Sequence, residues 1–500
     1  MDNYMLSDFR HIGSREGILI QKFKKATGNN KKIARMNLLK YRGIYEKETD
    51  SGIVLAINSR NFVEYLHEVF KVVEVSGVLF FYNWNLHYYE EISDKVYLRF
   101  FKQILDRMDK NLWNTDSEGF YHLLFKREII NSLKSTDMPM DCINFQNGVY
   151  YLKSDDFIEG DAPEKFFTYC LEFEYDSEAR APIFEGYVKD ILNHDEDTEV
   201  SLQESLGLAL DFDSHCQKIV YYGGTGANGK STLINTLVYC LTIKNCATVS
   251  LKELLENDFI KSTLYQKMIC VCSENAQDKP IDTSILKNVS GTDYVTINRK
   301  YKDPINAKLF TQIYLVSNDL ALDDRSRAME RRLLAFKFCN YYTTNPRPDT
   351  NERLIDFDLQ TKINSEIQGV FNYILEGYKR VRDRNWKVYE SPAVKSYREE
   401  LLEEANPVRM FINDCIVYVP KKRPKKKDIH NSFLVWCSNN GISPGVCSSL
   451  KKFYNVFPEA AKAKGLYYGE GEVDGYACYK EIDVINSTSG ISGVSGAKRY

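Results

Sequence analysis

The spacing of apolar residues changes along this chain, and each change predicts an element. Val78-Leu79-Phe80-Phe81-Tyr82, Lys218-Ile219-Val220-Tyr221-Tyr222, Met268-Ile269-Cys270-Val271-Cys272, Gln312-Ile313-Tyr314-Leu315-Val316-Ser317 and Leu333-Leu334-Ala335-Phe336 are short apolar runs, the pattern of strands buried on both faces. Val295 and Ile297 alternate with polar residues and predict a half-exposed strand. Leu233-Ile234-Asn235-Thr236-Leu237-Val238 continues as a helix, and Ile363, Ile367, Val370, Phe371, Ile374 and Leu375 keep helical spacing across 355–405. Strands alternating with helices over 216–345 predict an α/β core.

Turn and breaker residues divide the rest. Ser76-Gly77 and Asn144-Phe145-Gln146-Asn147-Gly148 read as turns, Asn406-Pro407 as a boundary, and the Ser/Gly-rich stretch from Asn486 as a flexible tail. The expected organisation is an N-terminal region of unassigned role (1–70, mixed helix and loop), an α-helical domain (71–215), the α/β core (216–345), a helical lid (346–405), a small basic domain (406–485) and the tail (486–500). The aromatic cluster Tyr82, Trp84, Tyr88, Tyr89 reads first as core.

Composition narrows the class. With 43% hydrophobic and 27% charged residues and a net charge of −3 over 500 residues, the chain is expected to be soluble, and a nucleic-acid surface must be a local patch. No apolar run reaches the ~18 residues of a membrane span, and Met1-Asp2-Asn3-Tyr4 opens no secretory signal. The 12 cysteines and 7 histidines are scattered without metal-ligand spacing, so free thiols in a reducing cytoplasm, that of a bacterial host, are expected.

Candidate chemistry centres on Gly224-Thr225-Gly226-Ala227-Asn228-Gly229-Lys230-Ser231-Thr232. Gly224–Ser231 fits G-x-x-x-x-G-K-[ST] between a strand and a helix, a unit that aims backbone N–H groups and a helix N-terminus at a polyphosphate. Lys230 is expected to reach the β/γ-phosphates of ATP and Ser231 to hold Mg²⁺. The strand 268–272 runs into Ser273-Glu274, and Glu274 is the candidate for polarising water and for metal. Many such sites carry two adjacent acids; here Ser273 stands in the first position. Asn318, ending the next strand, is placed to orient water, and Arg331-Arg332 to reach a neighbouring subunit's γ-phosphate. Each also has a plain reading, as a strand-end Glu, a turn Asn and a surface Arg pair. Arg299, Lys300 and Lys302, ahead of the turn signal Asp303-Pro304, predict a cationic hairpin.

This order of motifs, with Leu286-Lys287, Gly291 and Arg299 between the strands, resembles the superfamily 3 helicases, in particular the poxvirus-like and phage- or satellite-type primase–helicases. The resemblance extends upstream to Ile143–Tyr150 and Leu206-Gly207 and downstream to Glu366–Asn372 and Gly377-Tyr378, roughly residues 70–485. It implies an AAA+-like core in a homo-hexameric ring with ATP and Mg²⁺ at each junction. Lys230, Ser231 and Glu274 would then act in cis, Asn318 as sensor and Arg331 or Arg332 in trans, with Lys300 and Lys302 lining a channel for one DNA strand moved 3′ to 5′. A separate primase or polymerase is an expected partner, because 70–140 offers no paired acids for primer synthesis.

Lys421-Lys422-Arg423-Pro424-Lys425-Lys426-Lys427 is a dense cation run before a helix-like Ile429–Ser438, a second segment Ser448–Phe457, and strand-like Gly465–Tyr468 and Gly475–Tyr479. Helix–helix–strand–strand predicts a winged-helix-like DNA-binding domain, with Lys451 and Lys452 flanking a recognition helix on duplex origin DNA. A solvated run or an import signal is the bland alternative. The expected activity is ATP-driven unwinding at an origin. The rival readings are a DNA-packaging motor, a small-molecule kinase or a nucleotide-gated origin-binding protein.

Overall fold

The computed structural model describes residues 4–75, 77–129, 133, 138–256, 259–273, 284–291, 294–299, 302–318, 320, 327–404, 407–440 and 444–485. Ser76, Asn406 and the tail from Asn486 lie outside them. The chain forms two compact units: Met1–Pro182 with Thr236–Asn245 and Thr361–Tyr373, and Ile183–Asn235 with Cys246–Gln360 and Ile374–Tyr500. Among the described residues no helix is long and apolar enough to cross a membrane.

The first unit is built on aromatic packing. The helix Ser59–Val69 buries Phe62, Val63, Tyr65, Leu66 and Val69, one stripe at helical spacing, and its N-cap Asn58 accepts the Asn61 N–H at 3.1 Å. That stripe joins Phe81, Tyr97, Phe101 and Phe125 in one core. The segment expected to be helical also carries two three-stranded antiparallel sheets, Val72–Val75, Val78–Asn83, Tyr88–Glu91 and Cys142–Phe145, Gly148–Tyr151, Phe157–Glu159. β-Branched and aromatic runs too short for helices account for the difference. Tyr82 and Tyr89 pack with Val73 and Phe166 in a second core, so this cluster is structural. A further hairpin, Ile44–Thr49 with Gly52–Ile57, lies where helix and loop were expected.

The second unit holds the α/β core. In chain order the elements of the core are α1 (Pro182–Ile191), α2 (Glu196–Gly207), β1 (Ile219–Gly223), α3 (Lys230–Cys240), β2 (Cys246–Ser250), β3 (Ile269–Ser273), β4 (Gln312–Ser317), β5 (Leu333–Lys337), α4 (Ile367–Asp383) and α5 (Pro392–Glu404), with α3 from Thr236 and α4 up to Tyr373 counted in the first unit. The sheet is fully parallel in the order β2-β3-β4-β1-β5. Ile219, Tyr221, Cys270, Cys272, Ile313, Leu315, Leu333 and Ala335 share its buried core. β1 lies inside the sheet because every residue from Ile219 to Gly223 is buried. Its neighbours β4 and β5 align Ser317 and Lys337 with Gly223, so the C-terminal ends of three strands open at one edge, where open α/β sheets bind ligands.

Behind the sheet, α2 and α4 meet backbone to backbone. A Cβ on Gly207 would fall 2.2 Å from the Tyr378 nitrogen, and one on Gly377 would fall 2.1 Å from the Gln203 oxygen. Beside this contact the fully buried Glu204 pairs with Arg384 and with Arg380 at 3.4 Å, and accepts the Tyr389 N–H at 2.7 Å. Below β1, Lys218 Nζ lies 2.7 Å from Glu390 Oε1, and Arg398 pairs with the other oxygen. Burial opposes charge on Glu390, yet the two cations outweigh it and hold its carboxyl below the usual range.

Two sequence expectations shift. Pro304 lies inside the strand Lys302–Lys308, which pairs with Tyr294–Arg299. The bend therefore falls earlier, between Arg299 and Lys302, and a two-stranded hairpin tolerates proline because each strand keeps a free edge. In the C-terminal region the hairpin strands are Gly469–Val473 and Tyr476–Lys480; Gly465–Tyr468 is a connection that follows the helix Leu450–Ala463.

Gly377→Ala should cost at least about 1–3 kcal/mol, because a methyl is forced into a backbone contact; a lowered thermal midpoint checks it. The Glu390 pairing should stabilise the fold fully above the ordinary carboxylate pKa of about 4.3 and be lost as pH falls through its lowered folded value. Wild type should therefore lose stability over that acid range more steeply than Glu390→Gln, as read from melts at stepped pH.

Candidate functional site

The loop after β1 is shaped by glycines. Gly226 and Gly229 sit at φ +99° and +90°, and Ala227 at +47°, a region that glycine enters without steric cost. Gly224 has no room for a side chain, since a Cβ would fall 2.1 Å from Asn228 Nδ2 and 2.4 Å from the Phe338 carbonyl. The buried Asn228 donates to that carbonyl at 3.3 Å, the Tyr187 hydroxyl donates to the Gly229 carbonyl at 2.6 Å, and the Tyr342 N–H donates to the Ala227 carbonyl at 2.7 Å. α3 then starts at Lys230, so its N-terminus faces the loop.

Lys230 is 6% exposed. Its Nζ donates to the Gly224 carbonyl at 2.7 Å and to Asn318 Oδ1 at 3.1 Å. The structure thus brings together three sequence candidates: the loop, its lysine and the amide after β4. Ser231 and Thr225 are exposed. Ser273 ends β3 on the same cavity, whereas Glu274 lies outside the described residues.

The loop forms the floor of a cavity of about 800 Å³. The other walls were not foreseen. Ile183, Gly186, Tyr187 and Asp190 come from α1, and Leu354, Asp356 and Phe357 from the segment after β5. The α1 residues recur at i, i+3, i+4 and i+7, one face of a helix, and that spacing was the available signal. Leu354 and Phe357 are 68% and 79% exposed, so apolar surface stands open at the mouth. Tyr342 donates to Asp190 Oδ2 at 2.5 Å, and Arg353 Nε lies 3.7 Å from Asp190 Oδ1. Burial first, then this carboxylate, raises the Tyr342 phenol far above its ordinary range and keeps it a donor.

Arg331 and Arg332 sit elsewhere. They precede β5 and so lie at the N-terminal edge of the sheet, opposite the loop. Arg331 is exposed and donates to Gln217 Oε1 at 3.2 Å. Arg332 is buried and donates to the Ala328 carbonyl at 2.9 Å. Burial, then the neighbouring Arg331, lowers its guanidinium below the usual range. Arg299 and Lys302 are partners flanking the hairpin bend; Lys300 lies outside the described residues.

The C-terminal cations divide into two groups. Lys422 pairs with Asp483 at 3.2 Å, Lys425 with Asp474 at 3.7 Å and Lys426 with Glu470 at 2.8 Å. Lys425 also lies over the Tyr476 ring and Lys426 over Tyr479. Lys421, Arg423, Lys427, Lys451 and Lys452 are exposed without an acidic partner among the described residues. Lys451 and Lys452 open the helix Leu450–Ala463. This region packs the helices Pro407–Cys415, Lys426–Asn439 and Leu450–Ala463 around Phe411, Phe433, Phe453 and Phe457.

Residues 61–193 match the family described as D5 N terminal like, and residues 221–332 match a family of unknown function, DUF5906. A protein of Acanthamoeba polyphaga mimivirus, named "Putative helicase L207/L206", is 24% identical over 355 residues, which are 65% of this chain and 36% of that protein. The chain therefore spans about a third of that relative's length. Among solved structures, the C-terminal region of NrS-1 (305–718) in its apo form is 12% identical, with 84% of this chain and 98% of that one covered at a TM-score of 0.45. A second apo form covers 81% and 93% at a TM-score of 0.44.

Gly224→Ala should push the Asn228 amide off the Phe338 carbonyl and release the loop. The expected readout is faster amide hydrogen exchange across 224–229 with β1 still protected.

Proposed function

We propose that this chain is an ATP-driven DNA helicase acting in the replication of a virus, phage or other mobile element. The observation that carries the reading is the buried Lys230 ammonium, held behind a left-handed glycine loop and bonded to Asn318 of the neighbouring strand. The mimivirus relative's printed name supports it, as does a five-stranded parallel sheet that opens its C-terminal edge on the loop. In this reading the triphosphate lies along Gly224–Thr232 against the start of α3. Lys230 exchanges its protein acceptors for phosphate oxygens. The nucleobase lies toward Ile183, Gly186, Leu354 and Phe357. Ser231, which lines the cavity, would hold Mg²⁺ together with Glu274, and the ion would supply charge neutralisation. Glu274 polarises the attacking water and Asn318 orients it.

The remaining assignments need more than one copy or a DNA partner. In a hexameric ring, Arg331 or Arg332 completes the site of the adjacent copy. Arg299, Lys300 and Lys302 track one strand 3′ to 5′. The unpaired cations Lys421, Arg423, Lys427, Lys451 and Lys452 hold duplex DNA at an origin.

Strand displacement on forked DNA with ATP tests the reading. Wild type should unwind, and Lys230→Ala should lower unwinding by at least about 10²-fold, the scale of losing a preorganised charge at a phosphoryl site. Glu274→Gln should keep assembly and DNA binding and stop unwinding. Hydrolysis without unwinding on either tail polarity overturns the helicase in favour of another motor. Unwinding retained in Lys230→Ala removes the site itself.

A further inference from the structure

The amino-terminal helices Ser14–Lys25 and Gly28–Tyr41 carry a charge pattern that the proposed function leaves unused. From Ser14 to Lys47 there are ten cations and two acids, in a chain whose net charge is −3. Both acids are engaged. Glu16 is fully buried and accepts from Arg10 at 2.7 Å, Arg42 at 2.8 Å and the Tyr65 hydroxyl at 3.1 Å. Glu46 pairs with Arg35 at 3.4 Å. Lys22, Lys24, Lys25, Lys31, Lys32 and Lys40 are exposed, with no acidic partner among the described residues.

Helix dipoles account for only some of this placement. Lys22, Lys24 and Lys25 end the first helix, where the dipole favours cations, but Lys31 and Lys32 lie near the start of the second, which has no acid in its first turn. The connection Ala26-Thr27 brings these two groups of like charge toward one tip. Exposed amides stand among them, Gln21, Asn29, Asn30 and Asn37. A notch of about 250 Å³ opens between the helices, lined in part by Lys22, Asn30 and Asn37.

We infer that the tip of this hairpin is a DNA-backbone-binding surface, additional to the hairpin near Arg299 and to the C-terminal cations. Converging lysines with interspersed amide donors are the chemistry of phosphodiester contact without base reading. A membrane-surface helix would segregate an apolar face; here Ile33 and Met36 are exposed among Asn29, Asn30 and Asn37. The surface acts without nucleotide.

The test is fluorescence anisotropy of the full chain with labelled duplex and single-stranded DNA, without nucleotide, at several salt concentrations. The variant Lys24→Gln/Lys25→Gln/Lys31→Gln/Lys32→Gln should bind duplex at least tenfold more weakly at low salt. Its slope of log K against log salt should be shallower by about 3.6 on duplex, from four contacts at about 0.9 each, and by about 2.8 on single strands at about 0.7 each. The matching Lys→Arg variant should restore both, and an unchanged thermal melt confirms that the exposed substitutions leave the fold intact. Unchanged slopes on both DNAs overturn the inference, including the case in which the variant has lost binding to anionic vesicles or to an acidic protein. Lys230→Ala, run alongside, should leave the slope unaltered, so failure of the helicase reading and failure of this surface are read separately.

Discussion

A buried ammonium organises the α/β core. Taking a lysine out of water is costly unless the protein supplies acceptors, and Lys230 donates to the Gly224 carbonyl and to Asn318 Oδ1. One follows β1 and the other follows β4. They meet because the two strands are parallel and in the register that sets Ser317 beside Gly223. A one-residue slip of β4 would exchange the side chains packed on its two covered faces and move Asn318 by one residue. Packing of the apolar strands and placement of the polar site are therefore one constraint.

Protein contacts hold the loop's shape. Asn228 and Tyr342 bind it to the segment after β5, through the Phe338 and Ala227 carbonyls, and Tyr187 binds it to α1. Tyr342 in turn reaches back to Asp190. Two elements far apart in sequence thus fix a backbone that glycine alone would leave free. A loop already in a left-handed, N–H-exposing conformation gives up little further entropy when an anion binds, and this preorganisation is what a phosphate site needs.

Much of this was legible along the chain, for reasons that differ by element. The strands β1, β3, β4 and β5 announce themselves as short apolar runs, since a parallel sheet buries both faces. The glycine loop was legible because backbone conformation demands glycine at fixed offsets. Asn318 could be marked but not joined to Lys230, because strand order is not written in local spacing. The α1 wall was missed: Ile183, Gly186, Tyr187 and Asp190 look like any amphipathic stripe until the cavity is seen. The sheets within 71–215 were missed because four-residue strands carry too little pattern to outweigh the helical pieces around them. In the cation run, charge was visible, but the acids that pair with Lys425 and Lys426 come from the hairpin Gly469–Lys480, and the one that pairs with Lys422 from the strand Ile482–Val484 after it.

The arginines show why one chain is an incomplete site on the proposed reading. Arg331 and Arg332 precede β5 while the loop follows β1, so the length of a five-residue strand, about 16 Å, separates them within one copy. Across that distance in water, two unit charges interact by roughly 0.3 kcal/mol, and salt screens most of it. A transition-state arginine is worth about 10³-fold or more, roughly 4 kcal/mol. Direct contact is the only way to that magnitude. Exposed Arg331, anchored through Gln217 at the sheet's far edge, can make such a contact only with a phosphate bound to another copy. On the proposed reading, Arg331 would therefore serve the site of a neighbouring copy rather than its own.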